Sequence, residues 1–585
     1  MSLTDGKSSR CVLLLLTSAM ACCGISGCNG PGASLETSAV TPSITSISPS
    51  SATTGGPSFT LTINGANFAS GATLGWTLTS GSVQFPAITT TFVDSTKLTA
   101  QIPAALIASP TGVQVFVLNP FLGAGSVSAP ANFTINLAPT GVTQTITLGV
   151  NGAPPNGPSS NPVLSTNGEY IAFASQATNL VSPNAQFAEV YVRDTCISDI
   201  VACTPATQLV SAITNGSSEG NALGGATPSI GNQGRFVGFL SAATNLVTPN
   251  TQFQQAYLRD TCADAPGCVP ITVLASVLLN GGEPNAAATA IMTTSNNCYA
   301  VFASAATNVV PGVTAPNQVY LSSCSSNGPA GGFTTSSTLV SADNSGVPAN
   351  QGAQQPAVDS AGRFAAFAST STNLPGSPGN GSQQIYFRDT CLTAPTGCTP
   401  ATTLISIDAS GKPLIGDSQL PAINSDGHFV AFTTQVPLAG GGVNPVVYLY
   451  NSCQSSVSNA VVTNCTPAST LISVATGGTA ANGPSMATQH AVSDDGRFTL
   501  FSSTATNLAA STSATTTSQV YARDTCVTST STVVSCTPST IIISIDSTGA
   551  PTGGSAASIS GDGHVAAFQS IIATIQQIVV AATGF

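Results

Sequence analysis

The sequence predicts an all-β protein: a propeller of seven four-stranded blades, with six as the alternative count, preceded by a smaller β-sandwich. Three observations carry this. A unit seen most fully at Pro356–Cys391, PAVDSAGRFAAFASTSTNLPGSPGNGSQQIYFRDTC, recurs through most of the chain. Four short β-rich runs fit each period, the content of one propeller blade. Only 6% of the 585 residues are charged while 42% are hydrophobic. Polarity therefore comes from Ser, Thr, Asn, Gln and Gly, as in a folded β protein rather than a disordered chain.

At the N-terminus, Lys7 and Arg10 precede the apolar run Val12–Leu16 and then small residues. This is an export signal, too short for a transmembrane helix. The run ends in Ile25-Ser-Gly-Cys28, which resembles the bacterial lipobox. The resemblance implies diacylation of the Cys28 thiol, cleavage before Cys28 and acylation of the new amine, several chains being needed for stable anchoring. The competing reading is a plain secretory signal. On the lipobox reading residues 1–28 are the signal peptide and 29–40 a Gly/Ser/Thr-rich tether. The mature chain is then expected to be lipid-anchored at the outer membrane or cell surface; by the same analogy Asn29 does not retain it at the inner membrane.

Residues 41–136 differ in character. SITSISPSSATTGGPSFTLTINGANF (Ser43–Phe68) alternates apolar and polar residues between Pro-Ser and Gly-Gly turns, and STKLTAQIP, GVQVFVLNP and ANFTIN continue the strands. The I-x-x-I-x-P opening, the Gly-Gly turn, ING-x-NF and the closing NFTI resemble the IPT/TIG immunoglobulin-like domain. That resemblance implies a spacer or binding module. Trp76, the single Trp, reads as core.

Residues 137–585 hold the repeats. Each copy opens on a turn such as Asp359–Gly362 or Ser493–Gly496, and Asn-Gly or Asp-Gly between β-rich runs signals a hairpin. A short apolar run ends in Phe173, Phe239, Phe302, Phe367, Phe432, Phe501 or Phe568, 63 to 69 residues apart. A third run ends in Arg-Asp-Thr-Cys in four copies. The last copy lacks its fourth strand, and a spare one, TQTITLGVNG (Thr143–Gly152), lies ahead of the first. Pairing the two closes the ring and removes an open sheet edge. The turn, the Phe-ended strand and the Tyr-x-Arg-Asp strand end resemble the TolB-like propeller repeat, a marker of fold more than of function.

Setting aside Cys11, Cys22, Cys23 and Cys28 leaves twelve of the sixteen cysteines, an even number in an exported chain. Five pairs are local: Cys196–Cys203, Cys262–Cys268, Cys391–Cys398, Cys453–Cys465 and Cys526–Cys536. Cys298 and Cys324 stand where other blades place Arg and Asp, so a cross-strand disulfide is expected there. Intra-blade ion pairs are expected elsewhere: Arg235 with Asp260, Arg363 with Asp389, Arg497 with Asp524. Zinc is the alternative for the cysteines, but none of the local pairs is Cys-x-x-Cys and only three His exist.

The net charge is −11 and no Lys/Arg cluster exists, so no nucleic-acid partner is expected. His428 and His564 follow the turn Gly where other repeats carry Arg, and read as structural. No Gly-x-Ser-x-Gly, His-Glu-x-x-His or phosphate loop appears, and Asp426, Asp494, Asp495 and Asp562 read as turn residues rather than Ca²⁺ ligands. The expectation is a non-enzymatic scaffold with no metal or other cofactor, binding a protein or glycan through its long-loop face. A polysaccharide-acting enzyme, needing paired carboxylates or a His in the channel, and a structural surface protein are the alternatives. The Thr-Asn-Leu motif reads as a turn. The lipobox reading predicts that labelled palmitate enters the wild-type protein and not Cys28→Ala; equal labelling of both refutes it.

Overall fold

The structure is a computed structural model. It describes residues 41–584 apart from 54–57, 79–87, 108–110, 121–126, 137–142, 197–204, 215–217, 226, 232, 264, 266, 279–281, 295–298, 324–335, 439–440, 457–464, 510–516, 530–535 and 547. Cys28, Cys203, Cys298 and Cys324 lie outside the described residues, as do the leader and tether.

The N-terminal domain is a sandwich of two four-stranded sheets. Ser43–Ser48, Phe59–Ala66, Lys97–Ile102 and Thr90–Asp94 form one; Ser51–Thr53, Ala131–Asn136, Thr111–Leu118 and Thr73–Leu78 form the other. Alternating residues of both sheets, Leu61, Ile63, Leu98 and Val115 among them, fill the core. Trp76 packs against Phe133 there, ring centroids 5.1 Å apart, a core residue as its pattern implied.

Seven four-stranded antiparallel sheets follow. Blade 4 is typical: inner strand Gln354–Val358, then Phe364–Ser369, Gln384–Asp389 and outer Ala401–Leu404. In blade 7, Ser555–Ile559, Val565–Ile572 and Ile575–Ala582 are completed by Gln144–Thr145 from the far end of the chain. Val579 pairs with Thr145 and Val580 with Gln144. The Ile146 amide donates to the Ile578 carbonyl at 3.0 Å, and Ile146 is buried with Ile578, Ala567 and Phe173. Seven blades, not six, close the ring.

The Phe-ended and Tyr-bearing runs form a stack inside each blade. Phe173 lies opposite Tyr191 in register, centroids 5.8 Å apart. Blades 2 to 6 repeat the pair, as with Phe302 and Tyr320 at 5.4 Å. Such pairs contribute about 0.5–1.5 kcal/mol beyond their buried area. One turn glycine is required twice over. Gly427 has φ 77°, and a Cβ there would sit 2.3 Å from the Phe364 ring of the preceding blade; only glycine meets both demands.

The third strand opens on a buried Gln in four blades. Gln255, Gln318, Gln384 and Gln519 each accept from a fourth-strand-end serine, for example Ser276 Oγ to Gln255 Oε1 at 2.7 Å. Blade 1 places Glu189 there, on Ser211. Burial pushes the Glu189 carboxyl up to about 8, the Ser211 hydrogen bond countering only in part. The folded state therefore holds a proton that the unfolded chain releases above about 4.5, so this site's contribution to stability is lost as pH rises towards 8. Glu189→Gln, which matches those four blades, is expected to raise stability by roughly 1–3 kcal/mol at pH 8 and by nearly nothing at pH 4. Thermal unfolding at both values checks this; a gain independent of pH contradicts it.

Candidate functional site

The two ends of the ring are built differently. At one end lie the turns and the stapled loops. Cys262–Cys268, Cys391–Cys398, Cys453–Cys465 and Cys526–Cys536 are disulfides, and Cys196 is disulfide-bonded as well. Four such bonds belong to an oxidising compartment. Asp260, Asp389 and Asp524 each lie beside two of these sulfurs, but joined sulfurs offer no thiolate to a metal. The same aspartates make the ion pairs expected from the sequence. Arg235, Arg363 and Arg497 reach Asp260, Asp389 and Asp524 at 2.9, 2.8 and 2.6 Å, and each guanidinium also covers the neighbouring Phe ring. Oδ1 of each aspartate accepts the amide of the following Cys, for example Cys391 at 2.8 Å. Asp, Arg and disulfide thus hold one strand end. His564 pairs with Asp562 at 3.2 Å and His428 is buried against Phe429, both in turn positions.

The opposite end carries the loops after the Phe strands and the connections between blades. Thr-Asn-Leu is clamped, not presented. Asn350 donates to Thr372 Oγ1 at 2.9 Å, accepts the Thr372 amide at 3.0 Å, and its own amide donates to Asn373. Asn156, Asn221, Asn285 and Asn482 repeat this in blades 1, 2, 3 and 6. These asparagines escaped sequence reasoning, although each lies 22 to 24 residues ahead of its threonine. Blades 5 and 7 carry longer hairpins instead, Phe429–Pro437 with Val443–Asn451, and Val565–Ile572 with Ile575–Ala582.

Beyond the clamp the loops diverge, and a groove of about 990 Å³ opens between blades 1 and 2. Ser182–Phe187 forms one wall; Gln208 on the outer strand and Ser218–Asn221 help form the rest. Glu219 accepts the Gln186 amide at 2.8 Å, fixing the loop. Arg259 is spent on Thr272 and the Ile213 carbonyl, and burial pushes its guanidinium down to about 10. Exposed amides of Asn184, Gln186 and Gln208 and the Phe187 ring line the groove beside apolar surface from Val150, Val181, Pro183 and Leu209.

The inner strands line a central channel. Turn to turn, Ser360 donates to Ser425, Asp494 to Gly561 at 2.8 Å and Gly561 to Thr166 at 2.7 Å, narrowing the turn end to about 60 Å³. His490 and Asp494 both line that space. Burial pushes His490 down to about 4 and Asp494 up to about 6, the latter raised further by Asp495, Asp562 and Asp426. A His in the channel was the feature the sequence reading lacked. The 69-residue spacing between Phe432 and Phe501, the longest of the set, includes two extra residues between Met486 and Ser493 but also the longer Cys453–Cys465 loop.

Residues 42–135 match the IPT/TIG domain family, so the chain contains an IPT/TIG domain. No curated protein matches the chain. Among solved structures it is similar to an oligogalacturonate lyase from Vibrio parahaemolyticus, at 8% identity and TM-score 0.30, over 81% of this chain and 86% of that one. It is also similar to the Trypanosoma rangeli sialidase in complex with the inhibitor DANA, at 10% identity and TM-score 0.29, over 75% and 57%. An α-L-arabinofuranosidase from Lactobacillus brevis follows at 10% and 0.25, over 50% and 90%. The expectation that the chain is not an enzyme is corrected here: these similar structures are all enzymes, and a missing sequence motif does not exclude catalysis on such a ring. Likenesses at this level carry no activity over to this chain. Among the described residues no helix is long and apolar enough to cross a membrane.

Proposed function

We propose that this is an exported, lipid-anchored envelope protein whose TolB-like propeller is a binding scaffold, its ligand an uncharged glycan taken up in the groove between blades 1 and 2. The sequence divisions 1–28, 29–40, 41–136 and 137–585 serve that reading as signal, tether, spacer and scaffold. The single observation that carries it is the lining of the groove. Its guanidinium is engaged within the protein and one oxygen of its carboxylate holds the Gln186 amide, and the lining joins the amides of Asn184, Gln186 and Gln208 and the Phe187 ring to apolar surface from Val150, Val181, Pro183 and Leu209. A few placed polar groups on a rigid frame beside apolar surface suit a neutral polyol better than a charged ligand. The groove runs from the long-loop face at Ser182–Phe187 towards the stapled end at Thr261 and Pro270.

The test is a glycan array with the mature protein, followed by calorimetry on any hit. Asn184→Ala with Gln208→Ala is expected to weaken binding about tenfold or more, roughly 1.4 kcal/mol, with the fold intact. Replacing Thr248–Phe253, the matching loop of blade 2, should change little, because that segment does not line the groove. No neutral glycan bound, or affinity unmoved by the double variant, sinks the reading. Consumption of a hit during the assay replaces binding by turnover.

A further inference from the structure

We propose that the chamber at the long-loop end of the central channel is a binding site for a small single-ring alcohol, a phenol-type group, whose hydroxyl hydrogen-bonds to His490. The chamber has a volume of about 190 Å³. An apolar cavity of about 150 Å³ accepts one benzene-sized ring, so a single substituted ring fits.

The chamber is built by a departure of blade 6 from the repeat. Met486 pairs with Ser502 as Gln354 pairs with Ala368, Gln419 with Thr433 and Ser555 with Gln569. Two more residues separate Met486 from the turn residue Ser493 than separate those partners from Asp359, Asn424 and Ser560. The additional length carries Thr488, Gln489 and His490 across the channel. Gln489 Nε2 donates to the Pro356 carbonyl of blade 4 at 3.1 Å. Thr488 Oγ1 donates to the Ala557 carbonyl of blade 7, and the Ile559 amide donates to the His490 carbonyl at 3.1 Å. The channel is thereby divided, with His490 facing the narrow cavity on one side and the chamber on the other.

The walls are apolar and fixed. Pro162, Val163, Pro228, Leu420 and Ala556 supply them, and Leu420 and Ala556 sit at bulges with φ of 56° and 50°, which hold the inner strands in place. At the floor lies His490, which lines both the chamber and the narrow cavity, and its Nε2 is buried with no hydrogen-bond partner. A buried polar atom left unpaired costs about 1–3 kcal/mol, which a hydroxyl placed in the chamber would recover. Burial keeps the imidazole neutral at pH 7, so it matches a neutral hydroxyl. Of the polar residues that also line the chamber, Thr488 and Gln489 are bonded to neighbouring blades and Thr227 stands at the mouth. None of these residues lines the groove of the glycan proposal, so the two can fail separately.

The test uses the mature chain with isotope-labelled histidine, which gives signals from His428, His490 and His564 only. His490→Leu assigns the His490 signal. Phenol titrated at pH 7 is expected to shift that signal saturably and leave the other two in place, with toluene binding at least tenfold more weakly. Thr227 is exposed at the chamber mouth, so Thr227→Trp should keep the thermal transition and abolish the shift. No saturable shift, toluene as tight as phenol, or an unchanged shift in Thr227→Trp overturns the proposal.

Discussion

A sheet edge left open at a chain terminus exposes a row of unpaired backbone groups, and a ring of blades has such an edge wherever its ends fail to meet. Here the two ends meet in blade 7. Gln144–Thr145 lies along Ile575–Ala582, and Ile146 fills a cluster shared with Phe173 and Leu180 of blade 1. That pairing fixes the first blade against the last, and with it the path of every inner strand around the channel. The channel, the chamber within it and the groove between blades 1 and 2 are all consequences of a ring that cannot open.

Within the ring, uncharged polar side chains do what charges do elsewhere. Asn clamps tie the incoming connection to the Thr-Asn turn, Gln–Ser pairs close the third and fourth strands, and turn backbones bond from blade to blade. The low charged fraction is therefore a property of the architecture. Arginine is kept where one planar group can bond an aspartate and cover a ring together, as Arg363 does with Asp389 and Phe364. Glu189 shows the cost of breaking the pattern: one buried carboxyl where four other blades use an amide.

Much of this was legible from residues. The repeat period, the Asp-Gly turns, the closing strand, the local disulfides and the three Arg–Asp pairs all depend on contacts within one repeat or between the chain ends, and a period exposes those. The Asn156-type clamps were not legible, because a lone Asn in a Gly/Pro-rich connection looks like any turn residue until its partner is placed. The channel-facing His490 was hidden for another reason. It arises from a two-residue lengthening, which the longer Cys453–Cys465 loop in the same period masks in the spacing. The groove depends on how two loops diverge, and no local pattern encodes that.

The ring depends on closure at the chain ends, and amide hydrogen exchange on the intact protein tests that closure most directly. Ile146 and Val579–Val580 should exchange only with global unfolding, at the rate of the Phe364–Ser369 core strand. Exchange of either segment well ahead of that strand would mean the ends open independently of the ring, and would contradict the account.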